Sequence, residues 1–128
     1  MSRIENQVHG KFKVFAGALE PDHTIGSLAD QVSAFVSETK VAAKSIGVEY
    51  LESARRLIIT LGYREDEPWY PVRLESVSLG KIDVLGSDFA ALEKAMAEAA
   101  GKRSNIICHE LYVTDDREFL MVCMMHQA

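Results

Sequence analysis

The sequence predicts an α+β fold: an antiparallel sheet with two helices on one face, built from two βαββ halves. Three observations carry that expectation. Two segments with helical spacing of apolar residues each follow an extended apolar run. Each is then followed by two further extended runs joined by a short turn, the signature of a hairpin. The last such pair, either side of TDDR, is apolar on both faces, whereas a hairpin with one wet side alternates apolar and polar. That hairpin therefore needs cover on both sides, by helices on one and by another sheet or subunit on the other.

Taken in order, KFKVFAGAL from Lys11 to Leu19 alternates partly and is rich in Val and Phe, as a first strand should be. The loop EPDHT follows, with Pro21 and Asp22 as turn residues. Ile25, Leu28, Val32, Phe35 and Thr39 recur at helical spacing, predicting a helix from about Ile25 to Lys40. Thr24 or Ser27 can cap it, and Ser27 with Asp30 resembles a capping box. KSIGVEYLE and RRLIITLGYR then form a hairpin turning at Ser53-Ala54. Its apolar face holds Ile46, Val48, Tyr50, Leu57, Ile59 and Leu61.

Two prolines bracket Trp69-Tyr70, so REDEPWYP reads as the connection between halves of about 8–66 and 70–128, within a single domain spanning 1–128. VRLESVSL resumes a strand, and the switch of phase from Val72/Leu74 to Val77/Leu79 suggests a bulge. GKIDVLG reads as a loop or a continuation of that strand. Ser87 or Asp88 caps a second helix with a stripe of Phe89, Leu92, Ala95, Met96 and Ala99, and Gly101 suits the position just past its end. In the last hairpin, a turn at Asp115-Asp116 sets Cys108 opposite Cys123 and Glu110 opposite Met121. Ile106, Cys108, Glu110, Tyr112, Phe119, Met121, Cys123 and Met125 then share one face.

The two halves are spaced by about 61 or 62 residues. At the first spacing Glu49 falls on Glu110 and Arg56 on Arg117; at the second Tyr50 falls on Tyr112 and Leu57 on Phe119. This duplicated βαββ order is similar to that of GyrI-like small-molecule-binding domains, and it also resembles the dimeric α+β barrels. The likeness covers element order and no motif residues, so it implies a fold and not a site. A single ferredoxin-like βαββαβ unit with extra strands is the competing arrangement.

With 128 residues, 48% hydrophobic and 26% charged, the chain can bury one core without staples. A net charge of −5 argues against a nucleic-acid partner, which would need a basic stripe. There is no Lys/Arg cluster to hold a membrane surface either. Two cysteines, a start without a cleavable-looking leader and no long apolar run suggest a cytoplasmic protein. The polar opening MSRIENQ is expected to fray. Without GxGxxG, a P-loop or GxSxG, no nucleotide cofactor or nucleophile motif is expected. CxxC and HxxxH spacings are also absent, so no metal site is expected.

Glu110 is the sharpest candidate for chemistry. Cys108, Tyr112, Met121, Phe119 and Cys123 around it would strip its hydration and favour the neutral acid, the condition for a catalytic proton donor or acceptor. The plain alternative is a carboxylate in a wet gap or paired with an arginine. Glu49 would sit diagonal to Arg56, which a surface ion pair explains, though a pseudo-twofold would bring Glu49 and Glu110 to matching places. Cys108 and Cys123 could bridge, bind a soft metal or simply pack, and packing of free thiols is the default inside a cell. His109 is expected as a core histidine with one partner, pointing away from Cys108, with His126 as a second imidazole near in sequence.

Asp22 and His23 stand before the first helix, and Trp69 and Tyr70 could close over a ligand or plug the core. Met121, Met124 and Met125 suit an adaptable pocket or a methionine-filled core. The expected ligand-binding set is thus Glu110, Tyr112, Glu49, Cys108, Cys123, Met121 and Trp69. Three functions compete: a small-molecule-binding accessory domain, a cofactor-independent enzyme using Glu110 for proton transfer, and an oligomeric interaction protein without a ligand site. In each a homodimer or higher oligomer is expected, because two helices are too few to cover both faces of the last hairpin.

Overall fold

The structure, a computed structural model, describes residues 10–18 and 25–127. Along the chain run β1 (Lys11–Ala18), α1 (Gly26–Thr39), β2 (Ala42–Leu51), β3 (Arg56–Arg64), β4 (Val72–Lys81), a one-turn α2 (Ile82–Leu85), α3 (Phe89–Gly101), β5 (Ile106–Val113) and β6 (Glu118–His126). The architecture is α+β, with two antiparallel three-stranded sheets and, among the described residues, three α-helices. The strand orders are β1-β3-β2 and β4-β6-β5, so each sheet is a hairpin with one more strand on its second arm. The expected single sheet is therefore two. Their edge strands β2 and β5 lie side by side, and Tyr50 Oη donates to the Asp115 carboxylate across the seam at 3.1 Å.

The helices do not share one face. Leu28, Val32 and Val36 of α1 are buried in the main core, together with Leu57, Ile59 and Leu61 of the first sheet and Leu120, Val122 and Met124 of the second. Met96 and Ala99 of α3 instead pack on Met121, Cys123 and Met125. Strand β6 thus buries both faces, even-numbered residues towards α1 and odd-numbered ones towards α3. The two-sided cover that its sequence demanded is supplied within the chain.

Local chemistry explains most element ends. Among the described residues no side chain caps α1, and Ile25 occupies its N-cap position, so Ser27 falls in the first turn instead. Val36 takes the core place expected of Thr39, whose hydroxyl donates to the Phe35 carbonyl at 2.5 Å on the exposed side. Lys40 ends the helix in the left-handed region at φ 55°. Asp88 caps α3 as its sequence predicts, accepting from the Ala91 N–H at 3.0 Å. Gly101 is the last residue of that helix and not the residue beyond it, and Phe89 stands 68% exposed instead of joining the stripe. GKIDVLG, expected as a loop or a continuation of the strand, ends β4 at Lys81 and then forms all of α2.

The β4 bulge lies between Ser78 and Gly80, later than the apparent change of phase. That change has another cause: Leu74 faces the main core and Val77 the α3 cluster, both faces of β4 being covered. No described helix is long and apolar enough to cross a membrane. The sequence readings for MSRIENQ, Leu19, EPDHT, Thr24, Asp22 and His23 fall outside the described residues.

Candidate functional site

The register of the last hairpin decides which residues share a site. Its turn spans three residues, 115–117, instead of two. The Thr114 N–H donates to the Glu118 carbonyl and the Arg117 N–H to the Thr114 carbonyl, both at 3.0 Å. Arg117 adopts φ 65°, the left-handed residue that closes such a loop. One added turn residue slides β5 by one place along β6, so Cys108 pairs with Met124, His109 with Cys123 and Glu110 with Val122. The expected pairings of Cys108 with Cys123 and of Glu110 with Met121 are therefore replaced. A bulge between Ile106 and Cys108 returns Ile106 to its expected partner Met125.

This shift sorts the candidates onto two faces. Cys108, Glu110 and Tyr112 lie on the main-core side, where Tyr112 is buried and Glu110 is half-buried. Met121 and Cys123 lie under α3. Glu49 is exposed on the outer face of the first sheet, opposite Ile58. It is not brought to Glu110, and no hydrogen bond or ion pair links it to Arg56 among the described residues. Trp69 packs half-buried against the main core, while exposed Tyr70 sets its ring 5.2 Å from the His126 imidazole.

A strongly apolar cleft is the groove between α3 and the β5–β6 floor. It measures about 270 Å³ and is lined by Met96, Ala97, Ala100, Ile106, His109, Met121 and Cys123. Its origin is local. α3 reads FAALEKAMAEAAG, and its alanines are too short to fill the space beside a helix lying on a methionine floor. His109 is the lining's ionisable nitrogen base, exposed at the rim and directly across the strand pair from Cys123. The sequence reading placed it as a core histidine; the one-residue register shift puts it at the groove instead.

Arg103, just beyond α3, holds the far side of this arrangement. Its Nε donates to Glu75 Oε1 at 2.9 Å and its Nη1 to the Ala99 carbonyl at 2.8 Å. The guanidinium is only 15% exposed and clamps the end of α3 onto β4, while Arg73 contacts the other Glu75 oxygen. The sequence reading missed this residue, although a basic residue after a helix end is a recognised signal.

Both cysteines are free. Burial pushes the Cys123 thiol up, with the Glu75 charge adding to the effect and Arg103 opposing it. Burial likewise pushes up the Cys108 thiol; the Ile46 backbone opposes and the Glu110 charge adds. Near neutral pH both are thiols and poor nucleophiles, since reactivity resides in the thiolate. No group of three or more His, Cys, Asp or Glu that could hold a metal occurs among the described residues.

A second cleft of about 220 Å³ lies between Ala42, Ala43, Pro68, Tyr70 and His126. The Lys44–Glu67 pair, 2.8 Å apart, crosses its lining, so its charges are already matched. No protein-family model matches the chain, and no match was found among curated proteins or solved structures.

Proposed function

We propose that this domain binds a small, partly apolar molecule in the groove between α3 and β5, with His109 as its polar handle. The observation that carries this is the lining itself: thioether, thiol and aliphatic carbon around a single imidazole at the mouth. Ligand sites are apolar concavities with a few placed polar groups, and methionine floors adapt to varied shapes. A volume of about 270 Å³ falls just under the roughly 300 Å³ at which drug-sized sites begin. The ligand is therefore about the size of one ring or a short acyl chain, with an acceptor or anionic group for the imidazole.

Binding is favoured over proton transfer by Glu110 because that carboxylate lies on the opposite side of the sheet from the groove. The βαββ order of each half, similar to GyrI-like small-molecule-binding domains, supports the same reading by analogy. Its two free thiols suit a reducing compartment such as the cytoplasm.

Methyl NMR tests this with 4-phenylbutyrate and its uncharged alcohol as probes. Both should move the Met96 and Met121 methyl signals and leave Met124, on the other face, in place. Ala100→Phe should block both probes, whereas His109→Ala should weaken the carboxylate more than the alcohol. Shifts confined to Met124, or none at millimolar probe, would overturn the assignment.

A further inference from the structure

The outer face of the first sheet carries a separate inference. In each sheet one face is covered by the half's own helix. The remaining face of the second sheet is buried through Leu120, Val122 and Met124, but its counterpart on the first sheet is open. That open face is laid out in rows by the strand register: Phe12, Gly62 and Ser45; then Val14, Thr60 and Gly47; then Ala16, Ile58 and Glu49. Phe12 is 71% exposed and Val14 59%. We propose that this face is an isologous interface with a second copy of the chain, the twofold axis running along β3.

Shape supports a second copy over other occupants. The tall residues Phe12 and Val14 stand on one outer strand, and the short ones, Ser45 and Gly47, stand on the other. A twofold along the central strand lays β1 of each copy on β2 of the other, so tall residues meet short ones. A side chain built at Gly47 would meet only Thr60 Cβ at 3.9 Å, so the low ground there is open space. Gly62 is different, because the Ser45 hydroxyl and the Phe12 ring already lean over it, 2.5 and 3.4 Å from where a Cβ would stand.

Charge is balanced across the face. Arg56 and Glu49, at one end of it, have no ion-pair partner among the described residues. The twofold sets Arg56 against Arg56 of the second copy, and a Glu49 from each copy lies diagonal to that pair and offsets its like charge. The face is eight pairs long and three strands wide. At about 3.3 Å per residue and 4.8 Å per strand it projects roughly 380 Å². Side-chain relief raises that towards the roughly 600 Å² per partner at the low end of stable interfaces.

Analytical ultracentrifugation of the intact chain tests this. The wild type should sediment at twice its 14.2 kDa mass at micromolar concentration. Val14→Asp and Gly47→Glu should each raise the dissociation constant at least ~100-fold, the scale of a central interface residue, and should melt like the wild type once all are diluted to monomers. Glu49→Arg should also weaken the dimer, and adding Arg56→Glu should restore it. Should those variants fail to fold, Thr60→Cys in a Cys108→Ala background supplies the answer. Thr60 faces its own copy across the axis, so a short bismaleimide spanning the about 10 Å between packed sheets should join two chains. A monomeric wild type would overturn the interface, as when another part of the same chain covers the face. So would a dimer indifferent to all four substitutions, or a Thr60→Cys protein that stays uncrosslinked.

Discussion

Replacing Cys123 by serine tests the register and the burial together. Its sulfur is fully buried between β6 and α3, beside the groove. Serine puts a hydroxyl there, and burying an unpaired hydroxyl costs about 1–3 kcal/mol by mutational measure. Alanine removes the sulfur without adding a polar atom, and its cost is the lost packing alone, about 1 kcal/mol. Serine should therefore be the worse substitution at this position. At Cys108 the order should relax, because the site is half-buried and the Ile46 N–H can donate to a polar atom there. Cys108→Ser should cost less than Cys123→Ser, about 1 kcal/mol or under, because its hydroxyl keeps a hydrogen-bond partner. Urea melts, with thermal midpoints moving roughly 3–5 °C per kcal/mol in a chain of this size, resolve these differences.

The same thiols give a pH signature. Burial raises both above their ordinary value of 9.0, so the folded chain holds these protons when the unfolded chain releases them. The stability they contribute is fully present below about pH 9 and is lost as pH rises through the folded values. The double Cys108→Ala/Cys123→Ala protein should consequently lose less stability than the wild type above that pH. Two results would refute the reasoning: serine tolerated as well as alanine at 123, or serine more damaging at 108. An oxidant that joined Cys108 to Cys123 within one folded chain would do the same, because the observed register puts them on opposite faces of the sheet.

Met124→Ala should destabilise by about 2–5 kcal/mol, since it empties a fully buried site in the main core. Phe89→Ser, at an exposed position, should stay within about 0.5 kcal/mol in the same melts. Arg103→Met should cost about 1–3 kcal/mol by leaving Glu75 with Arg73 alone and freeing the end of α3. A double-mutant cycle with Glu75→Gln should then show coupling of more than about 0.5 kcal/mol, and additivity there would dismiss the clamp.

Much of the local structure was legible because short-range chemistry decides it. The face of the β2–β3 hairpin was readable from Ile46, Val48, Tyr50, Leu57, Ile59 and Leu61, which the structure pairs as Ile46 with Leu61, Val48 with Ile59 and Tyr50 with Leu57. Asp88 could be read as a cap because its carboxylate needs only the amide three residues on. The division into two sheets was not legible, and neither was the side on which each helix packs. Both depend on contacts between halves, such as α1 against β4, that no local spacing records. The two-faced burial of β6 was visible in its composition, but its source was not. A second subunit and a helix of the same chain leave the same apolar stretch in the sequence.

The candidate site illustrates why a correct strand is not yet a correct site. In β6 the division into odd and even faces follows from period-two geometry and needed no partner to be read. Pairing β5 to it needed the loop length, and TDDR permits either a two-residue or a three-residue turn. Arg117 takes the left-handed conformation, which costs an L-residue roughly 1–2 kcal/mol and is not an arginine preference. The hairpin offsets that strain by burying both faces of β6, a term that lies outside the turn. Sliding β5 by one place exchanges its partners wholesale. Glu110 moves away from the methionine and thiol floor, and His109 arrives opposite Cys123 at the mouth of a groove. Whether this face offers a carboxylate or an imidazole to a ligand is therefore decided by one residue of turn, and only the imidazole has an apolar cleft beside it.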